Sequence, residues 1–159
     1  MNYYDEIEEG YAELHKEEQL RKIAIIKKHI QFHEKWFILD VGCGPYFGDF
    51  PGTVIGIDPS FKLLKQAKIP VVQAIGEKLP FKDNEFMAVI SVTALQNFTD
   101  IEKGLLEIKR VGKEYFAISV LKKSPKIKMI EELVPKLFPV QRIVEEEKDI
   151  IFFCRKKRF

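Results

Sequence analysis

Asp40-Val41-Gly42-Cys43-Gly44-Pro45 follows the apolar run Trp36-Phe37-Ile38-Leu39, and Asp58 follows Val54-Ile55-Gly56-Ile57. Two glycines two positions apart, straight after a buried strand, let a ligand approach the backbone with no Cβ in the way. A carboxylate at the end of the next strand can accept two hydrogen bonds from a ribose diol. A nucleoside lying across the two strand ends would be held by Asp40, the glycines and Asp58 together. Each residue also has a plainer interpretation. Asp40 to Gly44 would make a tight turn in any α/β protein, and Asp58 could cap a helix that begins at Ser60. Cys43 reads as a packing residue, because its thiol lies inside the loop.

Such groups need strands to carry them, and the chain supplies them in alternation with helices. Trp36 to Val41, Val54 to Ile57, Val71 to Ala74, Phe86 to Val92 and Tyr115 to Leu121 are apolar runs of strand length, as expected where both faces are covered. Tyr11 to His33 reads as a helix with Leu20, Ile23, Ile26 and Ile30 on one stripe. Ser60 to Lys68 would bury Phe61, Leu64 and Ala67. Asp100 to Val111 would bury Ile101, Leu105 and Ile108 behind an Asp100 cap. Ser124 to Phe138 would bury Ile127, Ile130, Val134 and Leu137. Val140 to Val144 and Ile150 to Cys154 flank a short acidic turn and predict a terminal antiparallel hairpin. The fold expected is α/β, a single domain over 1–159. A helical segment (1–34) precedes a mostly parallel seven-stranded sheet (36–159), with helices on both faces.

Composition excludes several classes. The chain has 159 residues, of which 46% are hydrophobic and 31% charged, so it is globular rather than disordered. Lys and Arg number 26 against 24 Asp and Glu, too balanced for a global field that demands nucleic acid. The apolar runs are far too short to span a bilayer. The first residues, Met1-Asn2-Tyr3-Tyr4-Asp5, are acidic where a secretory leader would be basic, so a cytoplasmic location is expected. Two cysteines make neither a metal cluster nor a disulfide scaffold, and no metal is expected. Abundant Lys, Glu and Ile with scarce Asn lean toward a thermophilic source.

Ile38-Leu39-Asp40-Val41-Gly42-Cys43-Gly44 resembles the glycine-rich motif of class I S-adenosylmethionine-dependent methyltransferases. Ile55-Gly56-Ile57-Asp58-Pro59-Ser60 resembles their second motif, whose acid binds the ribose hydroxyls. Glu77-Lys78-Leu79-Pro80-Phe81 and Asn84-Glu85-Phe86 resemble the third and fourth, in the methyltransferase-11-like branch. The likeness runs from about Trp36 to Leu121, and the terminal hairpin matches the family's sixth and seventh strands. It implies a Rossmann-like fold and S-adenosyl-L-methionine as cofactor. It assigns Asp40, Gly42, Cys43, Gly44, Asp58, Pro59, Gly76, Glu77 and Ser91 to that cofactor. Glu77 is equally read as an ordinary surface acid. Thr93 and Gln96 stand where the family lines its acceptor pocket, or on a helix surface. Tyr4 and Tyr11 belong to a segment that in relatives folds over the cofactor; an apolar latch on the sheet end is the alternative.

The chain departs from the family pattern in places. Tyr46 takes the third glycine position, so the helix that normally follows is expected to shrink to a turn or vanish. Ile75 and Met87 replace acids of the third and fourth motifs. His15, His29 and His33 are placed away from the site. No Asn-Pro-Pro-Tyr-like tetrapeptide follows the fourth strand, so the methyl acceptor stays open among RNA, protein and small molecules. The short chain argues for a large acceptor or a partner subunit, and Arg155-Lys156-Lys157-Arg158 could touch RNA phosphates or be a solvated terminus. Two other classes compete: a non-catalytic S-adenosylmethionine-binding partner subunit, and a nicotinamide enzyme, which shares two glycines and an acid but needs the missing third glycine.

Overall fold

The computed structural model describes residues 3–156, with side chains from 13 onward. The chain runs α1 (Tyr3–His29), β1 (Phe37–Val41), β2 (Thr53–Asp58), α2 (Phe61–Leu64), β3 (Val71–Gln73) and β4 (Phe86–Val92). A 3-10 turn (Leu95–Asn97), α3 (Ile101–Val111), β5 (Gly112–Leu121), α4 (Ile127–Leu137), β6 (Val140–Glu145) and β7 (Asp149–Arg155) follow. The seven strands lie in the order β3-β2-β1-β4-β5-β7-β6. The first five pair in parallel, and β7 is antiparallel to both β5 and β6. The strand order reverses direction between β1 and β4, and in open α/β sheets ligands bind in the crevice at such a point.

Period-two alternation sends successive residues of the central strands to opposite faces, and both faces are apolar there. Leu39, Val89, Phe116, Ile118 and Phe152 face one side, where Leu105 and Ile108 of α3 and Ile130 and Val134 of α4 cover them. Ile38, Ala88, Ile90, Ala117, Ile151 and Phe153 face the other, under Ile23, Ile26 and Ile30 of α1 and under Phe50. The central strands are covered on both faces and carry few polar residues, whereas the edge strands β3 and β6 stay largely exposed. Among the described residues no helix is long and apolar enough to cross a membrane.

The helices differ in detail from the periodicity. α1 begins at Tyr3 and stops at His29, so His33 lies beyond it. Leu20 is exposed at 41%, and Lys22 is buried instead. α2 is a single turn, and Phe61 points outward at 57% exposure while Leu64 is buried. Gln66 and Ala67 continue only in i to i−3 turns, and Pro70, which disfavours a helical residue before it, stands just ahead of the short β3. α4 starts at Ile127, because Ser124 Oγ takes the amide of Lys126 in a local turn. α3 matches its expected limits, with Asp100 Oδ1 accepting from the Lys103 amide at 3.1 Å.

Candidate functional site

No helix stands between β1 and β2. The chain leaves Val41 through Gly42 at φ 77° and Gly44 at φ 52°, and Tyr46 itself adopts φ 58°. The third glycine position is therefore left-handed in backbone even though it holds tyrosine. The amides of Gly42 and Cys43 both donate to the Ile57 carbonyl, at 2.8 and 2.9 Å. That pair fastens the loop to the end of β2. A Cβ on Gly42 would lie 2.5 Å from Cβ of Ala94, whereas one on Gly44 would meet nothing nearer than Leu63 Cδ1 at 4.0 Å. So Gly42 is a packing contact, and Gly44 leaves open space on its ligand side.

Asp58 joins the two strand ends. Its Oδ2 accepts from the Gly44 amide at 3.0 Å and its Oδ1 from the Ser60 amide at 2.8 Å. Ser60, not Asp58, caps α2, its Oγ accepting from the Leu63 amide at 3.3 Å. Each carboxylate oxygen keeps a lone pair for a further donor.

A cavity of about 770 Å³ opens above these residues, within the size range of small-molecule sites. Asp40 lies at its base, 6% exposed. Burial, and then the charge of Asp58, push the Asp40 carboxyl up to about 7. A buried acid with no counter-ion is stabilised in its charged form by a cation placed beside it. Burial raises the Cys43 thiol, as do the charges of Asp40 and Asp58, so it is a poor nucleophile. Burial pushes the Cys154 thiol up to about 12, and both cysteines are free.

The structure gathers Asp40, Gly42, Cys43, Gly44, Asp58, Pro59, Gly76, Glu77 and Thr93 around this cavity. Ser91 is not among its walls. It is wholly buried, and its Oγ donates to the Val41 carbonyl at 3.1 Å, tying β4 to β1. Gln96 also stays out of the lining; its Nε2 donates to the Thr93 carbonyl at 2.9 Å. Glu77 fits neither earlier interpretation alone. It borders the cavity, and its Oε2 accepts from the amides of Thr99 and Asp100 at the start of α3. The side chains of Tyr4 and Tyr11, and Lys157 and Arg158 of the basic tail, lie outside the described residues.

One wall was not legible as part of the site. His15, Gln19 and Ile23 of α1 line the cavity, so placing His15 away from it was wrong. Their i, i+4, i+8 spacing puts them on one face, and that was the available signal. Phe47, Leu63, Ile75 and Phe98 add apolar surface. Among the described residues no cluster of acids, cysteines and histidines suits a metal ion. The donor set suits a diol-bearing nucleoside that carries positive charge.

A family described as a methyltransferase domain matches residues 39–115. An uncharacterized protein of Methanocaldococcus jannaschii is 35% identical over 121 residues, covering 70% of this chain and 47% of its own. Demethylmenaquinone methyltransferase of Corynebacterium kroppenstedtii is 43% identical over 63 residues, 38% of this chain and 28% of that one. The chain thus spans about half the length, or less, of the curated relatives it matches. A SAM-dependent methyltransferase from Aquifex aeolicus superposes with a TM-score of 0.69 at 20% identity, over 83% of this chain and 87% of the other.

Proposed function

We propose that the chain, whose residues 39–115 match a family described as a methyltransferase domain, transfers a methyl group from S-adenosylmethionine to a small-molecule acceptor. The observation that carries this is the clasp of Asp58 on the Gly44 amide beside the buried Asp40. Asp58 and the loop amides would hold the ribose. Asp40 would face the positive end of the cofactor. Ile75, Gly76 and Leu63 would sandwich the base, with apolar packing where relatives have an acid. When bound, the cofactor supplies a methyl on a cationic sulfur, already activated for in-line displacement. The residues of this chain have to align an acceptor and exclude water, and positioning supplies much of the rate.

The acceptor proposal narrows on two grounds. The named quinone methyltransferase relative acts on a small molecule, and Phe47 and Phe98 offer apolar surface for a ring. The RNA or protein acceptor suggested by chain length has no support among these relatives. Radiolabelled S-adenosylmethionine with 1,4-naphthohydroquinone as probe tests the transfer. Labelled product is expected; cofactor binding without labelled product would remove a quinol acceptor from the proposal.

A further inference from the structure

Thr93 follows the last residue of β4 and carries φ 52°. A β-branched residue is a genuine outlier there, and such strain persists only where the surroundings over-determine it. The surroundings of Thr93 do so at every polar atom. Its amide donates to the carbonyl and the Oγ of Ser119 on β5, at 3.0 and 2.9 Å. Its carbonyl accepts from Gln96 in the 3-10 turn. Its Oγ1 accepts from Lys22 Nζ on α1 at 2.9 Å and donates to Asp149 Oδ2 on β7 at 2.5 Å. Lys22 and Asp149 also face each other directly at 3.0 Å, with side chains 3% and 0% exposed.

Two costly features therefore meet at one residue of the cavity wall. A buried ion pair is poor value as a stabiliser, since apolar replacements of similar volume often hold a fold as well. Its geometry does something else here. Lys22 stands one turn from Gln19 and next to Ile23, both of which line the cavity. The next residue after Thr93, Ala94, is the one packed against Gly42. Hydrogen bonds at Thr93 thus tie the α1 wall to the residue that precedes Ala94, and Ala94 packs on the glycine loop.

We propose that Thr93, held by the buried Lys22–Asp149 pair, is a positioning residue that sets the glycine loop and the α1 wall for the cofactor. This rests on the methyltransferase reading of the cavity. Its role is to fix where Ala94 presses on Gly42, not to touch the reacting atoms. Loss of the hydroxyl frees the turn to relax toward negative φ and to withdraw Ala94 from the loop.

Thr93→Val removes the hydroxyl at constant shape, Thr93→Gly does so while tolerating positive φ, and Thr93→Ser keeps the hydroxyl. Binding of S-adenosylhomocysteine is measured by calorimetry, melting temperature by circular dichroism, and amide hydrogen exchange over residues 15–23 and 42–46 without ligand. The expected result is about tenfold weaker binding for Thr93→Val and Thr93→Gly, at the lower end of couplings between sites. Exchange in both segments rises together, and Thr93→Ser restores both. The loss exceeds what any change in melting temperature accounts for, which a merely structural role would not produce. Should Thr93→Val fail to fold, Thr93→Gly carries the same comparison. Unchanged exchange in both segments, or a Thr93→Ser variant as impaired as Thr93→Val, overturns the proposal. Failure of the unsubstituted protein to bind S-adenosylhomocysteine counts against the methyltransferase reading instead, and the ligand-free exchange still decides the role of Thr93.

Discussion

Asp40 is the residue at which charge and burial oppose each other most directly. The unfolded chain releases this proton near pH 4, whereas the folded protein holds it to about pH 7. Between those values the folded state binds more protons than the unfolded one. Stability from this group is therefore greatest at low pH and falls as pH rises toward 7. Cofactor binding has the opposite sign, since a cation beside Asp40 favours its ionised form. Affinity for S-adenosylmethionine should be full above pH 7 and weaken as pH falls below it, by up to about tenfold per pH unit. Calorimetric titrations from pH 5.5 to 8.5 read this directly, and Asp40→Asn should flatten the profile. Gly42 is the second decisive residue. Gly42→Ala combines φ 77° with a methyl 2.5 Å from Ala94 Cβ. Left-handed strain alone costs about 1–2 kcal/mol. Cofactor affinity should fall about tenfold or more while far-ultraviolet dichroism keeps its native shape. The gathering of Asp40, the glycines and Asp58 at one cavity was legible because it follows from strand-end position. Ser91 was not, because register along β4 decides whether a strand-end hydroxyl meets the cavity or the neighbouring strand.

At the scale of elements, α3 shows what a sequence specifies well. Ile101, Leu105 and Ile108 fall on one stripe and are all buried, and Asp100 closes the N-terminus. Asp100→Ala should cost about 1 kcal/mol of stability in urea denaturation, with cofactor binding retained. Leu105→Ala, in the layer between α3 and the sheet, should cost about 2–5 kcal/mol. α2 shows the reverse case. Phe61 and Leu64 have helical spacing, but the chain must turn within a few residues to enter β3, and the connection wins over the stripe. α1 is intermediate: its apolar face was readable, while Lys22 was hidden within it. A buried lysine has no signature in periodicity, because its partner Asp149 lies on the last strand.

The whole molecule is a sheet covered on two faces, with its ligand crevice where β1 and β4 diverge in topology. The parallel sheet and its antiparallel end followed from the alternation of elements and the terminal hairpin, whereas the strand order came only from the fold. The cavity's third wall did not, because α1 reaches it only through tertiary docking. The central claim is that this crevice binds S-adenosylmethionine through Asp58 and the glycine loop. Isothermal titration of the cofactor into the unsubstituted protein and into Asp58→Ala tests it most directly, with thermal melts to confirm that both are folded. The account predicts saturable one-site binding to the first, and none measurable to the folded variant, whose Gly44 and Ser60 amides have lost their acceptor. Equal binding by the two proteins, or none by either, would contradict it.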